Sequence, residues 1–208
     1  MTVAKFDTKG LIGKRTDRGY NATTATGRAI WPSDPRVEDI CIEDIAWGLA
    51  RICRFNGAIK PGLGTYSVAQ HSVHVMDAVW GVHGSQYEGL LLAALLHDAP
   101  EYVLGDMTKP TKQLYPSRKG HEAKWARIIE EWAGLPAGAL DDPRIKEQDY
   151  RAVLTEHRDL QVNTGEVDWG LEQAKAQPWP YRITPWTPQY AAERFISAFI
   201  GNQPRRQK

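Results

Sequence analysis

The chain has 208 residues, with 26 Lys plus Arg against 25 Asp plus Glu and a formal net charge of +1. That near-balance excludes a general pull toward nucleic-acid polymers or anionic membranes, so any anionic ligand must be held by local charge. With 42% hydrophobic and 25% charged residues the chain is long enough for one buried core and short for two. Cys41 and Cys53 are too few for a disulfide scaffold and lack the paired spacing of a zinc ribbon, which predicts reduced thiols. The first residues, Met1 to Asp7, carry no apolar leader, and no run approaches the roughly 18 apolar residues of a membrane span. The expectation is a cytoplasmic protein without membrane partners.

Residues 1–39 are rich in Gly, Thr, Asp and Pro and have no helical period, which predicts an irregular N-terminal arm. Within it, Thr26 to Pro32 reads as a small hairpin or an arm over the core. Ile42, Ile45, Ala46, Leu49, Ile52 and Cys53 fall on one stripe at spacings of three and four, predicting a helix over 42–53. Ser67 followed by Gln70 reads as a capping box, in which the hydroxyl accepts from an early N–H and the amide reaches back. The helix it opens carries Val68, His71, Val75 and Val79. Ser85 with Glu88 repeats the signal before the Leu-rich run 90–96, whose helix should end near Val103. Pro100 lies inside that stretch and predicts a kink or break just after His97 and Asp98.

A proline-punctuated loop, Gly105 to Pro110, then leads to a helix over 117–133, ended by Gly134 and Pro136. Asp142 as N-cap and Pro143 at the first helical position open the next helix, with Ile145, Asp149, Ala152, Val153 and Leu160. Thr187 and Pro188 do the same for a last helix through Ile200. Gln177 to Tyr181 reads as a surface-hugging connection, Trp80, Trp125 and Trp132 as core or interface packing, and residues 204–208 as a disordered tail. The sum is an all-α helical bundle over residues 40–203.

The chemistry concentrates at the end of the apolar run Leu90 to Leu96, where His97 and Asp98 stand side by side and Glu101 follows. Adjacent polar groups at the end of a buried helix must be satisfied by bonding, pairing or a metal. His71 upstream and Asp149 downstream complete a set of two imidazoles and two carboxylates on three helical stretches, which a bundle can bring to one point. Such a set suits Mn, Fe, Co, Ni or Zn better than Ca. A divalent ion there lowers the pKa of water and neutralises phosphate oxygens, so phosphoester hydrolysis is the natural chemistry. Asp149 has a competing use in pairing with Lys146 or Arg151 on a solvated face. His74, one turn after His71, either supports the metal from behind or faces solvent.

The order His71, His97-Asp98, Asp149 resembles the H…HD…D pattern of the HD-domain phosphohydrolase superfamily. The flanks, Tyr66 to Ser72, Leu95 to Glu101, Gly105-Asp106 and Ile145 to Asp149, are similar to bacterial 5'-deoxynucleotidases and phage deoxynucleoside triphosphate hydrolases. The resemblance covers roughly 40–160 and implies an HD phosphohydrolase domain, one divalent metal ion and release of phosphate or polyphosphate from a deoxynucleotide. It assigns His71, His97, Asp98 and Asp149 as metal ligands, with Mg added to the ions to be considered. It assigns Glu101 to activating or orienting the attacking water and Asp106 as its acidic helper. Arg54 and Phe55 fall where those enzymes carry an Arg-aromatic pair beside the sugar and phosphate; here Phe stands where a Trp is common. An aromatic wall at the 2' carbon disfavours a hydroxyl there. Lys112 sits where a phosphate-binding cation is useful, with Lys109 second. Family members often form homodimers or higher homo-oligomers.

Four functions compete on this reading. A phosphohydrolase of deoxynucleoside 5'-phosphates, mono- to triphosphates, leads, and a dATP-directed triphosphohydrolase uses nearly the same residues. Cyclic-nucleotide hydrolysis calls for extra ligands that the sequence lacks, and a non-catalytic nucleotide sensor leaves Glu101 and Asp106 without a task.

Overall fold

The computed structural model describes residues 15–85, 89–166 and 176–203. Its centre is helix α2 (Val68–His83), which packs against α1 (Ile42–Arg51), α3 (Leu90–Leu96), α7 (Pro143–Leu160) and α8 (Pro188–Gly201). A helix packed against four others buries polar positions as well as apolar ones over its first half, so Gln70, His71 and Ser72 go inside with Val68, Val73, Val75 and Val79. Those polar groups must then find partners in the interior. On α1 the middle of the expected stripe holds, Ile45, Ala46 and Leu49 having no exposed surface, while the helix ends at Arg51 and leaves Ile52 and Cys53 beyond it. Among the described residues the fold is mostly helical, and no helix is long and apolar enough to cross a membrane.

The caps read from the sequence govern three helices. Ser67 Oγ accepts from Gln70 N at 3.2 Å, Asp142 Oδ1 from Arg144 N at 2.8 Å, and Thr187 Oγ1 from Tyr190 N at 3.2 Å. The reciprocal half of the Ser67 box does not form. Gln70 instead donates through Nε2 to Thr184 O at 2.8 Å and accepts at Oε1 from Trp186 N at 2.8 Å. An extended segment lying on α2 presents backbone groups with no helix or sheet to satisfy them, and they take the amide away from the cap.

Ser85 precedes α3, but Glu88 lies outside the described residues, as do residues 1–14 and the tail 204–208. Gly89, at φ 77°, occupies the N-cap of α3, where a Cβ would stand 3.0 Å from Leu135. Helix α3 stops at Leu96, a turn follows through Pro100, and α4 (Glu101–Leu104) begins there. The break thus falls where Pro100 placed it, because proline supplies no N–H to continue the ladder. One turn of helix, α5 (Lys109–Lys112), sits in the loop after it, too short to leave a period in the sequence. Helix α6 (Arg118–Ala133) closes on Gly134 at φ 69° and buries Trp125, whose Nε1 donates to Pro32 O at 3.0 Å.

Two expectations hold in part. The loop at Gln177 to Tyr181 does hug the surface, with Gln177, Pro180 and Tyr181 exposed, but Trp179 is anchored inside it at 2% exposed, its backbone N donating to Thr155 Oγ1 at 2.8 Å and its ring stacked on Tyr181. A side chain with that much aromatic surface gains more by filling the groove beside α7 than by lying in water. Trp80, by contrast, is 59% exposed, while Trp132 stacks on Phe199 at 5.2 Å.

The described part of the N-terminal arm is docked. Strands β1 (Ala22–Thr23) and β2 (Ala29–Ile30) pair antiparallel, with Ala22 opposite Ile30, and Ile30 enters the core. Buried Asp44 on α1 ties the turn down by accepting from Thr26 N at 2.8 Å and Thr26 Oγ1 at 3.1 Å. Arg18 pairs with Asp34 and Asp39 and stacks over Trp31. Both cysteines are free thiols.

Candidate metal centre

Three structural decisions bring the expected ligands together. Helix α2 projects His71 inward with no exposed surface. The stop after Leu96 leaves His97 and Asp98 in the turn that joins α3 to α4, where their side chains reach His71. The capped start of α7 sets Asp149 two turns in, on the side facing α2. As a result His71 Nε2 lies 3.3 Å from His97 Nε2, 3.1 Å from Asp149 Oδ1 and 3.5 Å from Asp98 Oδ2. His97 Nε2 is 3.3 Å from the same Asp98 oxygen. His71, His97 and Asp98 each place one ligand atom within 4.8 Å of the others, and Asp149 joins them through its contact with His71. Asp149 therefore pairs inward, not with Lys146, whose ammonium goes to Asp141.

The donor set fits a cation. His97 Nδ1 lies 2.8 Å from Ala94 O and His71 Nδ1 lies 2.6 Å from Glu156 Oε1, both of them acceptors. Neutral rings so bonded carry the proton on Nδ1 and turn a lone pair on Nε2 toward the cluster. Two such lone pairs and the Asp98 oxygen, at mutual distances of 3.3–3.5 Å, with an Asp149 oxygen 3.1 Å from His71 Nε2, repel unless a positive charge sits among them. The spacing is that of neighbouring atoms in a shell of about 2.1 Å radius, as for Zn, Co or Mn.

The same charge shows in the proton affinities. Burial alone pushes the His97 imidazole down, yet the Asp98 carboxylate and then Asp149 raise it to about 9. His71 also rises, because Glu156 and Asp149 outweigh burial and the Arg54 charge. Asp98 is pulled below its ordinary range against the cost of burial by His97, His71 and Arg54, and Asp149 is pulled down by its bond to His71. Protons at these sites stand in for the cation that the cluster needs.

The remaining predicted residues surround this point unequally. Glu101 is buried, with one oxygen 3.6 Å from Lys112 Nζ and the other, Oε2, without a hydrogen-bond partner. Burial first, then repulsion from Asp98 and Asp106, pushes its carboxyl up to about 9. Asp106 is raised too, chiefly by burial, and feels Arg54, Asp98 and Lys112. The Lys112 ammonium is half-exposed between Glu101 and Glu122 at 3.6 and 3.4 Å. Asp149, with 39% of its side chain exposed, and Asp98, with 23%, open the cluster to solvent, whereas His71 is fully buried.

Arg54 sits deeper than a substrate clamp would. An extended bridge between Cys53 and Ser67, with Arg54 N donating to Tyr66 O at 3.0 Å, fixes its backbone beside α2. Its guanidinium donates through Nε and Nη2 to Glu156 Oε2 and lies 3.5 Å from Asp98 Oδ2. Phe55, its ring 5.4 Å under the guanidinium, and Asn56 hold φ values of 57° and 53°. Left-handed backbone at two non-glycine residues costs on the order of 1–2 kcal/mol each, strain stored next to the cluster.

Sequence reading passed over Glu156. This fully buried acid accepts from Tyr66 Oη at 2.8 Å, from His71 Nδ1 and from Arg54. The available signal was its position seven residues after Asp149, on the same face of α7. His74 was assigned a supporting or a solvent-facing place, and it takes neither: its ring lies 4.9 Å from Trp186 and near Trp179 and Tyr181, with Gln70 Nε2 at 3.2 Å.

No family model matches the chain. It is 32% identical over 176 residues to the uncharacterized protein YfdR of Escherichia coli K12, a match that spans 85% of this chain and 92% of that protein. Over 87 residues it is 51% identical to an uncharacterized protein of Rhodobacter capsulatus, covering 42% of this chain and 44% of that one. By the extent and identity of the first of these matches, the chain belongs to the family of the Escherichia coli protein YfdR.

Proposed function

We propose that this chain is a metal-dependent phosphohydrolase of the HD-domain superfamily that hydrolyses deoxynucleoside 5'-phosphates. The observation that carries the reading is the meeting of His71, His97, Asp98 and Asp149 beside a buried acid, Glu101, whose Oε2 has no partner. A divalent ion held by those four residues supplies Lewis acidity, which lowers the pKa of water and neutralises a phosphate oxygen.

The chain's own groups do the rest. Glu101 Oε2, one turn past Asp98 and aimed at no other donor, is placed to take a proton from the attacking water or return one to the leaving group. With its proton affinity raised to about 9 the carboxyl holds a proton at neutral pH, which favours the second of these roles, delivery of a proton to the leaving group. Asp106 adds negative charge that keeps the Glu101 proton from leaving too easily. Lys112, half-exposed and held by Glu101 and Glu122, exchanges those partners for a phosphate oxygen. Phe55 supplies an aromatic surface for the sugar. Arg54, committed to Glu156 and Asp98, contributes its charge to the cluster from behind.

The test is product analysis on a panel of deoxynucleoside mono-, di- and triphosphates with Mn or Co. Phosphate from monophosphates marks a nucleotidase, and triphosphate from dATP marks a triphosphohydrolase. Glu101→Gln should keep its metal and lose about 10²–10⁴-fold in turnover. Tight nucleotide binding with no product from any substrate would point to a sensor and overturn the enzymatic reading.

A further inference from the structure

We propose that Glu156 is the positioning residue of this cluster: it holds the proton of His71 on Nδ1, so that Nε2 meets Asp98, Asp149 and His97 as a lone pair, and it anchors Arg54 beside Asp98. The proposal rests on the metal-centre reading only for what that lone pair holds.

The argument is an inventory of donors. An ionised carboxylate only accepts, and Glu156, with no exposed surface, meets four donors: Tyr66 Oη and His71 Nδ1 on Oε1, and Arg54 Nε and Nη2 on Oε2. No water is needed to complete it. The buried negative charge is balanced by Arg54 on one side, while His71 on the other accepts no charge so long as its second nitrogen has a ligand. The two oxygens thus have different tasks. Oε1 sets the imidazole tautomer and ring plane, and Oε2 fixes a cation whose Nη1 lies 3.5 Å from Asp98 Oδ2, the oxygen that both histidines face. His97 has only a backbone carbonyl for the same purpose, 2.8 Å away at Ala94. A carboxylate that accepts from a ligating imidazole raises its basicity as well as orienting it, so His71 is the stronger donor of the pair.

An amide cannot replace this acid, although it has the same shape. If Gln at 156 turned its oxygen toward His71 and Tyr66, its NH2 would face the Arg54 donors and the cation would lose its counter-charge. If it turned the other way, the NH2 would face His71 Nδ1, which would have to accept, and the proton would move to Nε2, into the place of the metal. Either arrangement weakens the cluster.

Cobalt binding, followed by its visible absorption against a competing chelator, should therefore weaken by about 10–100-fold in Glu156→Gln. Glu156→Asp should recover part of the loss, and Tyr66→Phe, which removes one neutral donor and neither task, should bind like the parent. Long-range 15N–1H correlations of the imidazoles in the parent chain should show a proton on His71 Nδ1, with zinc bound and without. A parent chain lacking that proton overturns the proposal with no variant needed. So does Glu156→Gln that melts earlier but binds cobalt as tightly as the parent, since that is a purely structural role. Neither readout involves turnover, so a chain that hydrolyses no nucleotide leaves this test intact; one that binds no cobalt is still decided by the metal-free spectrum.

Discussion

Acid should unfold this protein early, and His74 should be a leading cause. The imidazole is half-buried among Trp186, Trp179 and Tyr181, and burial first, with the neighbouring His71 charge second, pushes it down to about 4. Glu156 opposes the shift and Arg194 adds to it. A free histidine titrates near 6.5, so between these values the unfolded chain binds a proton that the folded chain refuses. Stability is whole above the unfolded value, falls as pH drops through the window, and levels off below the folded value. At pH 5 the linkage amounts to about 2 kcal/mol and at its limit to about 3 kcal/mol, taken as upper figures because water reaches one edge of the ring. Urea unfolding at pH 7.5 and pH 5, for the parent and for His74→Gln, isolates the effect. Gln keeps a polar atom within reach of Gln70 but does not titrate. Contributions from His71, His97 and the carboxylates are common to both chains and cancel in the double difference. The variant should lose about 2 kcal/mol less than the parent between the two pH values. Equal losses in both would refute the reasoning, and so would a parent that gains stability on acidification while the variant does not.

Removing divalent ions with a chelator should lower the melting temperature and restoring Mn or Co should raise it, since an ion at 100 times its Kd adds about 2.7 kcal/mol to the folded state. No movement in a melting curve would say that the cluster holds no ion. Gly48→Ala would set a Cβ 2.9 Å from Tyr102 Cβ, where α1 crosses α4. It should cost about 1–3 kcal/mol in urea unfolding, and lower turnover beyond that because α4 carries Glu101; unchanged values for both would remove the tight crossing from the account. Trp125→Ala empties a fully buried site that packs edge-on against Tyr102, and should cost about 3–5 kcal/mol, a loss below 1 kcal/mol being incompatible with the packing described.

Signals that act over a few residues were legible in the sequence. Ser67, Asp142 and Thr187 cap the helices they were expected to cap, and Pro100 ends α3 where its missing N–H must end it, because the deciding partners lie within four residues. The meeting of His71 with His97 and Asp98 followed from the same logic one level up, since a buried helix with imidazole and carboxylate at its end has few ways to satisfy them. Gln70 shows where this stops. Its amide had a local use at the cap and a distant one on the segment around Thr184 and Trp186, and only the packed chain presents the second.

Glu156 is the harder case and the more instructive one. It lies on a helix that also carries Lys146, Glu147, Arg151, Arg158 and Asp159, and in one dimension another acid there reads as part of a solvated face. What separates it from its neighbours is that α7 turns this one face toward α2, while Tyr66 and Arg54 arrive from the strand-like segments joining α1 to α2. Four donors from three stretches of chain converge on one acid, and no two of those stretches are neighbours through the helix that carries it. Pattern along α7 can nominate the face, through the spacing from Asp149 to Glu156, but the charge survives burial only because Arg54 is there to meet it. A ligand is recognisable from its own motif, whereas the residue that aims the ligand is defined by the fold, which is why the first was found in the sequence and the second in the structure.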